Sequence, residues 1–197
     1  MFLLKTTKKI FALWVIMMFL VTFTSLLVYL AAQQTIRLGA NDIPSQLAME
    51  TSIHLQNGQN AKDAIPAEKV DISKSLNGFV MVYDSSKNLV ATSGTLDSSN
   101  PVYPKGVLDY LDQKTESRIT WQPEAGLRFA SVAIKYNNGY IVAARSLNEP
   151  ERLIGKLGQL IFLAWLACAV FLTAVLAVSY FPMRKHAVNL YGMQKKS

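Results

Sequence analysis

The segment RITWQPEAGLRFASVAIKYNNGYIVAARSL (118–147) carries the clearest fold signal in this chain. Residues 116–123 alternate polar and apolar side chains, which predicts a strand with one buried face. Residues 127–136 and 137–146 are rich in β-branched, aromatic and small apolar residues. Asn137-Asn138-Gly139, where these two runs meet, is a strong hairpin signal. The segment therefore predicts three consecutive antiparallel strands.

A second β region lies upstream. Residues 78–84 and 89–95 are rich in strand-forming residues, and the turn residues 85–88 between them predict another hairpin. The run KGVLDYLDQK (105–114) then predicts a short helix. Five antiparallel strands combined with helices indicate an α+β domain with one helix-covered face.

Helices are expected before the sheet. Residues 33–59 carry a loose apolar stripe that predicts helix, with Gly58 as a stop signal. Pro44 marks either a kink or a fresh helix start. Residues 64–76 predict a second short helix, with Pro66 near its beginning.

Two long apolar runs enclose the predicted domain. Residues 10–32 and 157–181 contain 23 and 25 residues without a charge. About 20 apolar residues suffice to cross a bilayer as a helix, so both runs predict transmembrane helices. A cleaved signal peptide is the alternative for the first run. It is disfavoured because signal-peptide cores are about 7–15 residues long and because Leu30-Ala31-Ala32 departs from an A-x-A site.

These boundaries divide the chain into five regions. They are a tail at 1–9, a span at 10–32, an external domain at 33–152, a juxtamembrane and spanning helix at 153–181, and a tail at 182–197.

The distribution of charge predicts the orientation. Seven cations lie in the two tails without acidic neighbours: Lys5, Lys8, Lys9, Arg184, Lys185, Lys195 and Lys196. Residues 33–156 balance 13 Lys and Arg against 13 Asp and Glu, so the net charge of +7 lies in the tails. The positive-inside rule then predicts a plasma-membrane protein with both termini cytoplasmic and the central domain extracellular. Attraction to anionic lipid explains the basic tails, so we expect no nucleic-acid partner.

The junction between the last predicted strand and the second span holds a helix start signal. Ser146-Leu147-Asn148-Glu149 fits the S-x-x-E capping box, and Pro150 is tolerated in a first turn. Arg145 is expected to pair with a nearby carboxylate. A helix unbroken over residues 147–181 would be about 52 Å long.

Motifs for catalysis and metal binding are sparse. The two histidines, His54 and His186, fall on opposite sides of the membrane in the predicted topology. The surroundings of His186 do not resemble those of a phosphoacceptor histidine. The single cysteine, Cys168, lies within the second span and leaves the domain without an intrachain disulfide or a cysteine-based metal site. We therefore expect a protein that is not an enzyme and has no cofactor.

The order of elements, together with the GFVMVYDSSKNLVATSG hairpin (78–94) and the RSLNE segment (145–149), resembles the extracytoplasmic PAS-like sensor domains of bacterial receptors. These domains, of the PDC or Cache type, usually lie between two spans of histidine kinases and chemoreceptors. The resemblance covers residues 33–152. It implies a PAS-like five-stranded antiparallel sheet with N-terminal helices, held between two transmembrane helices.

The resemblance also implies a ligand site against the sheet. The matching region contains Tyr83, Tyr103, Trp121 and Arg128, with Arg118 nearby. Aromatic walls around one guanidinium would suit a small carboxylate. The alternative is that the aromatic residues fill the core. The two arginines would then be strand-face charges paired with Glu116 or Glu124, and Arg118 and Arg128 would bind no ligand.

Three functions fit these observations. The first is a sensor-like input module that binds a ligand or partner and acts through a second membrane protein, such as a kinase or transporter, or through a second copy of itself. Receptors of this kind continue into an output domain, and residues 182–197 carry no such motif. The second is a structural or accessory envelope protein without a small-molecule ligand. The third is the remnant of a histidine kinase. In each case membrane lipid is an expected partner.

Overall fold

The computed structural model describes the backbone of residues 2–194 and the side chains of residues 8–179. It contains two compact units. One comprises residues 34–153, and the other comprises residues 1–33 and 154–197. Of the tail cations, Lys5, Arg184, Lys185, Lys195 and Lys196 have side chains outside the described residues, as has His186.

Two long helices supply the second unit. Helix α1 spans Phe2–Gly39, and the helix that follows the sheet, α4, spans Asn148–Gln194. Both are long and apolar enough to cross a membrane, with mean hydropathy of 2.4 and 2.7 over their most apolar windows, and no residue of those windows is buried. Apolar surface of this extent requires a non-aqueous cover. The helices are therefore consistent with a membrane location.

Polar groups link the two apolar helices within this unit. The Trp165 indole donates a hydrogen bond to the Thr22 hydroxyl at 2.9 Å. The Thr22 hydroxyl in turn donates to the carbonyl of Met18 one turn earlier. Gly158 lies against the Tyr29 ring, where a Cβ atom would come within 3.2 Å of it. A small residue therefore allows this ring to approach the helix backbone closely.

Helix α2, which begins the domain core, spans Asp42–Gln56. Two residues separate it from the end of α1, and Pro44 is its third residue, where a missing backbone N–H costs little. The prediction of a fresh helix start near Pro44 is confirmed. Gly58 adopts a positive φ of 86° just past the end of the helix, as its stop signal predicted.

The sheet has five antiparallel strands in the order β3-β2-β7-β6-β5. These strands are β2 (Phe79–Asp84), β3 (Leu89–Thr92), β5 (Glu116–Glu124), β6 (Leu127–Tyr136) and β7 (Gly139–Ser146). The predicted hairpins are all present, and helix α3 (Lys105–Tyr110) occupies the predicted position between β3 and β5. The fold is α+β, as expected.

The predicted helix over residues 64–76 is wrong. This segment forms turns and a short strand, β1 (Val70–Asp71), which pairs in parallel with β4 (Gly94–Thr95). The Asp71 carboxylate accepts hydrogen bonds from both the hydroxyl and the amide of Ser73, an alternative to helical backbone bonding. Hydrogen bonds from Ser73 and from Lys74 lower the pKa of Asp71 to about 2.

Both faces of the sheet are buried. The α2 face packs small and branched side chains against the helix, and its buried residues are Ala48, Val80, Val82, Ala91, Ile141 and Ala143. The α3 face holds the larger, aromatic cluster. Its buried residues are Ile72, Phe79, Met81, Tyr83, Tyr103, Leu108, Leu111, Trp121, Phe129, Ala133, Tyr140, Val142 and Ala144. Alternate residues of the central strand β7 therefore contribute to two separate cores.

The start of α4 differs from the predicted capping box. Ser146 belongs to β7, and its hydroxyl accepts a hydrogen bond from the amide of Asn148 instead of that of Glu149. The Glu149 carboxylate pairs with Arg145 at 3.2 Å instead of returning to the Ser146 backbone. Arg145 thus has the carboxylate partner that was predicted. The last strand passes into the helix across Leu147 alone.

We expect Gly139→Ala to lower the free energy of unfolding by roughly 2 kcal/mol or more. A Cβ atom at Gly139 would lie 2.1 Å from the carbonyl oxygen of Tyr83, on the neighbouring central strand. Urea unfolding of the full chain, read out by pulse proteolysis, measures this change. Gly126→Ala is the matched control, because Gly126 also has a positive φ, 83°, but open space around it. We expect Gly126→Ala to lower the free energy of unfolding by about 1 kcal/mol. Equal losses of stability in the two variants would contradict the proposed clash at Gly139.

Candidate functional site

The three aromatic residues predicted to line a ligand site lie together in the core of the α3 face. Tyr83, Tyr103 and Trp121 are only 5%, 2% and 4% exposed. The Tyr103 and Trp121 rings meet edge to face, with their centroids 5.4 Å apart. The rings therefore pack against neighbouring side chains, as the core-filling alternative predicts.

The tyrosine hydroxyls in this core have partners. The Tyr103 hydroxyl lies 3.0 Å from the Ser131 hydroxyl, which donates to the carbonyl of Ile119 at 3.1 Å. The Tyr83 hydroxyl donates to the sulfur of Met81. Burial raises the pKa of Tyr83 to about 12 and also raises the pKa of Tyr103. Both hydroxyls are therefore neutral hydrogen-bonding groups at physiological pH.

Arg128 is not brought together with these aromatic residues. It lies on β6 next to Phe129, and successive strand residues point to opposite faces, so its side chain leaves the face that Phe129 enters. The half-exposed Arg128 guanidinium pairs with Glu151 in the first turn of α4. Arg118 pairs with Glu116 on the same strand. The predicted cation of the site thus contacts the helix that follows the sheet.

The structure reveals a charged cluster that was not predicted from the sequence. The Lys87 cluster comprises Lys87, Asp109, Asp112, Lys135 and Tyr140. The Lys87 ammonium lies 2.6 Å from Asp109 and 2.7 Å from Asp112. The Tyr140 hydroxyl donates to the second carboxylate oxygen of Asp112. The Lys87 ammonium also lies 5.7 Å from the centre of the Tyr140 ring.

The Lys87 cluster attaches α3 to the sheet. Asp109 lies in α3 and Asp112 follows it, whereas Lys87 lies in the β2–β3 turn and Tyr140 on β7. On its other side, α3 contributes the fully buried Leu108 to the aromatic core, and Leu111, which directly follows the helix, is also fully buried there. Helix α3 therefore covers the face of the sheet on which the sequence predicts the ligand site. The Lys87 cluster holds one edge of this helix against the sheet.

Electrostatic interactions within the cluster favour its charged form. Hydrogen bonds from Lys87 and then from Tyr140 lower the pKa of Asp112. Hydrogen bonds to Asp109 and Asp112 raise the pKa of Lys87 well above its usual range. The hydrogen bond to Asp112, followed by burial, raises the pKa of Tyr140. The ion pairs are accordingly complete at neutral pH.

Metal-binding clusters are absent from the described part of the chain. No group of three or more His, Cys, Asp or Glu side chains there could hold a metal ion. His54 is exposed near the end of α2.

Comparison of the chain with protein-family models, with curated proteins and with solved structures gives no match.

We expect Lys87→Met to lower the melting temperature of the full chain by a few degrees at neutral pH, because two ion pairs are lost. Asp112 has a lowered pKa in the folded state. Its contribution to stability is therefore complete above the unfolded pKa of about 3.9 and is lost as pH falls through the folded value. The difference in melting temperature between the Lys87→Met variant and the unmodified chain should therefore be smaller at about pH 3 than at neutral pH.

Lys135→Met is the matched control for this measurement. The Lys135 ammonium lies 3.8 Å from Asp112 and contacts no second carboxylate among the described residues, so its loss should matter less. A Lys87→Met effect of the same size at both pH values would mean that the lysine acts through packing of its alkyl chain.

Proposed function

We propose that the chain is a membrane-anchored input module, in which a PAS-like extracytoplasmic domain recognises a ligand or partner and passes that event to α4. Through α4 the module would act on a partner in the bilayer, either a second copy of this chain or another membrane protein such as a kinase or transporter. The observation that carries this proposal is the attachment of α4 to the sheet.

Three contacts make this attachment. The amide of Leu147 donates to the carbonyl of Arg128 at 2.8 Å, which ties the junction to β6. The Arg128 side chain pairs with Glu151, and Arg145 pairs with Glu149. Arg145 also donates to the carbonyl of Leu76, in the segment that precedes β2. The first turn of α4 is thus bonded to two strands, β6 and β7. A displacement of either strand would therefore displace the helix.

An anchor would not require this arrangement. A flexible linker of a few residues is sufficient to tether a domain to a membrane. Here the strand passes into the helix across Leu147, and acidic residues of the first helical turn also complement the helix dipole. This direct connection between β7 and α4 favours mechanical coupling over simple tethering.

A specific observation favours a second candidate, an accessory module that recognises another protein and binds no small molecule. Tyr83, Tyr103 and Trp121 fill the core of the α3 face, and the hydroxyl groups of the two tyrosines are already bonded. A small molecule bound there would have to displace core side chains or α3. A protein partner could instead engage the outer surface of the domain without such rearrangement.

The proposed topology predicts which positions a membrane-impermeant maleimide labels in intact cells. In a Cys168→Ser background, Ser98→Cys in the exposed loop after β4 should be labelled. Ser197→Cys in the basic tail should react only after the cells are permeabilised. The reverse labelling pattern would contradict an extracytoplasmic domain, and labelling of both positions in intact cells would contradict two spans.

The coupling proposal predicts that α4 must remain helical next to the sheet. Partners captured by photo-crosslinking from native membranes would be co-reconstituted with the chain in proteoliposomes, and their activity measured. We expect the unmodified chain to change that activity. A flexible Gly-Ser insertion after Gly155 should abolish the change while capture persists.

The matched control is an insertion of the same length built from Ala, Glu and Lys, which continues the helix for two turns. This variant should retain at least part of the effect. If the flexible insertion acted as well as the unmodified chain, α4 would be an anchor. Capture of envelope structural proteins alone would favour the accessory function.

A further inference from the structure

One edge of the five-stranded sheet is partly open. Strand β3 is the terminal strand on this side and pairs only with β2 within the described part of the chain. The next stretch of the same edge is covered, since the amide of Val70 donates to the carbonyl of Ser93 at 2.8 Å and β1 pairs with β4. The β1 segment therefore covers the edge of the sheet as far as Ser93. The outer side of β3 has no strand partner among the described residues.

A groove of about 400 Å³ lies along this open edge. One wall is β3, and the other is formed by residues 62–69, which lead into β1. The volume falls within the range of about 300–1,000 Å³ that is typical of ligand sites. Ile65 and Val90 contribute apolar surface to opposite walls. The covering segment thus stands away from β3 and leaves room for an additional chain.

The groove carries two free positive charges. Lys62 and Lys69 both line it, both are exposed, and neither forms an ion pair or hydrogen bond with any described residue. By contrast, the ammonium groups of Lys74 and Lys87 are paired with aspartates. The groove therefore offers cationic groups whose partners lie outside this chain's described residues.

The positions of Lys62 and Lys69 differ from those of the charged residues that protect sheet edges. Proteins blunt exposed edges with charged residues on the edge strand itself. Here β3 carries no charged residue. Its most exposed side chain is Val90, which is 49% exposed and lies at a register shift between β3 and β2, and the lysines lie across the groove on residues 62–69. An apolar edge strand that faces unpaired cations resembles a receptor surface more than a protected edge.

We propose that this groove binds an extended, acidic peptide segment of another protein, which adds a strand to β3. The unpaired N–H and C=O groups of an edge strand can hydrogen-bond to such a segment and supply affinity. Alternate residues of an extended chain point in opposite directions, so carboxylates at every second position can face Lys62 and Lys69. A free carboxylate would use the lysines and leave the backbone of β3 unpaired. This inference does not depend on signal transmission through α4.

Peptide binding to the full chain in lipid nanodiscs tests the proposal. The probe is a capped, fluorescent peptide of alternating valine and glutamate, followed by anisotropy, with the valine–lysine peptide as the charge-reversed comparison. We expect the glutamate peptide to bind and the lysine peptide not to bind. Charge reversal at both groove lysines, K62E/K69E, should weaken binding by roughly tenfold or more.

K105E/K114E is the matched control, because it makes the same change in net charge at two exposed lysines that do not line the groove. This variant should bind the glutamate peptide as the unmodified chain does. Equal weakening in both double variants, or no binding of the glutamate peptide, would overturn the proposal. Full displacement of the peptide by succinate would also overturn it, in favour of a small-anion site.

Hydrogen exchange gives an independent readout of strand addition. Bound peptide should slow amide exchange in β3 and leave β5, the opposite edge strand, unchanged. Protection of β5 in place of β3, or binding without protection of either strand, would contradict strand addition at this edge.

Discussion

The register of the central strand β7 is the constraint on which the rest of the structure depends. This strand pairs with β2 on one side and β6 on the other, and its alternate residues enter two different cores. Val142 belongs to the aromatic α3 face and Ile141 to the α2 face. A slip of one residue would exchange these faces and bury each side chain in the wrong core. Gly139 opposes such a slip, because only its bare Cα can approach the carbonyl of Tyr83. The position of α4, which follows β7 after one residue, is set by the same register.

Much of the fold could be predicted because its signals are local. Strand alternation and the Asn-Asn-Gly turn operate within about ten residues, and so do the apolar runs of the two long helices. The error over residues 64–76 had a different cause. Strand β1 pairs with β4 across 24 positions of sequence, over only two residues in each strand, and such pairing leaves no periodic pattern. The Asp71–Ser73 turn supplied a local signal, since Asp and Ser compete with helical backbone bonding, and it was outweighed by the helix-forming residues around it.

The candidate site was less accessible from sequence for the same reason. The resemblance to sensor domains grouped Tyr83, Tyr103 and Trp121, and they do lie together, but residue type alone does not distinguish a cavity wall from a filled core. Alternation along β6 could have separated Arg128 from them, because Phe129 is the residue that faces Trp121. In the Lys87 cluster, the contacts of Lys87 join positions 22 to 53 residues apart, and each charged member by itself resembles a solvated surface charge.

The two proposed recognition surfaces of the domain differ in whether a ligand must displace existing contacts in order to bind. On the α3 face, a ligand must displace packed aromatic side chains or open the Lys87 cluster, and breaking buried packing costs several kcal/mol. A ligand would therefore bind on this face only if its own contacts offset that free-energy cost. Its binding would move α3 relative to β7. At the β3 edge, the groove is already formed and its lysines are unpaired, so an acidic segment gains contacts without first losing any. Preformed sites of this kind favour affinity, whereas sites that must open favour switching. Under the proposed function, a partner docked at β3 could hold the domain in place while β7, two strands away, transmits a change on the α3 face to α4.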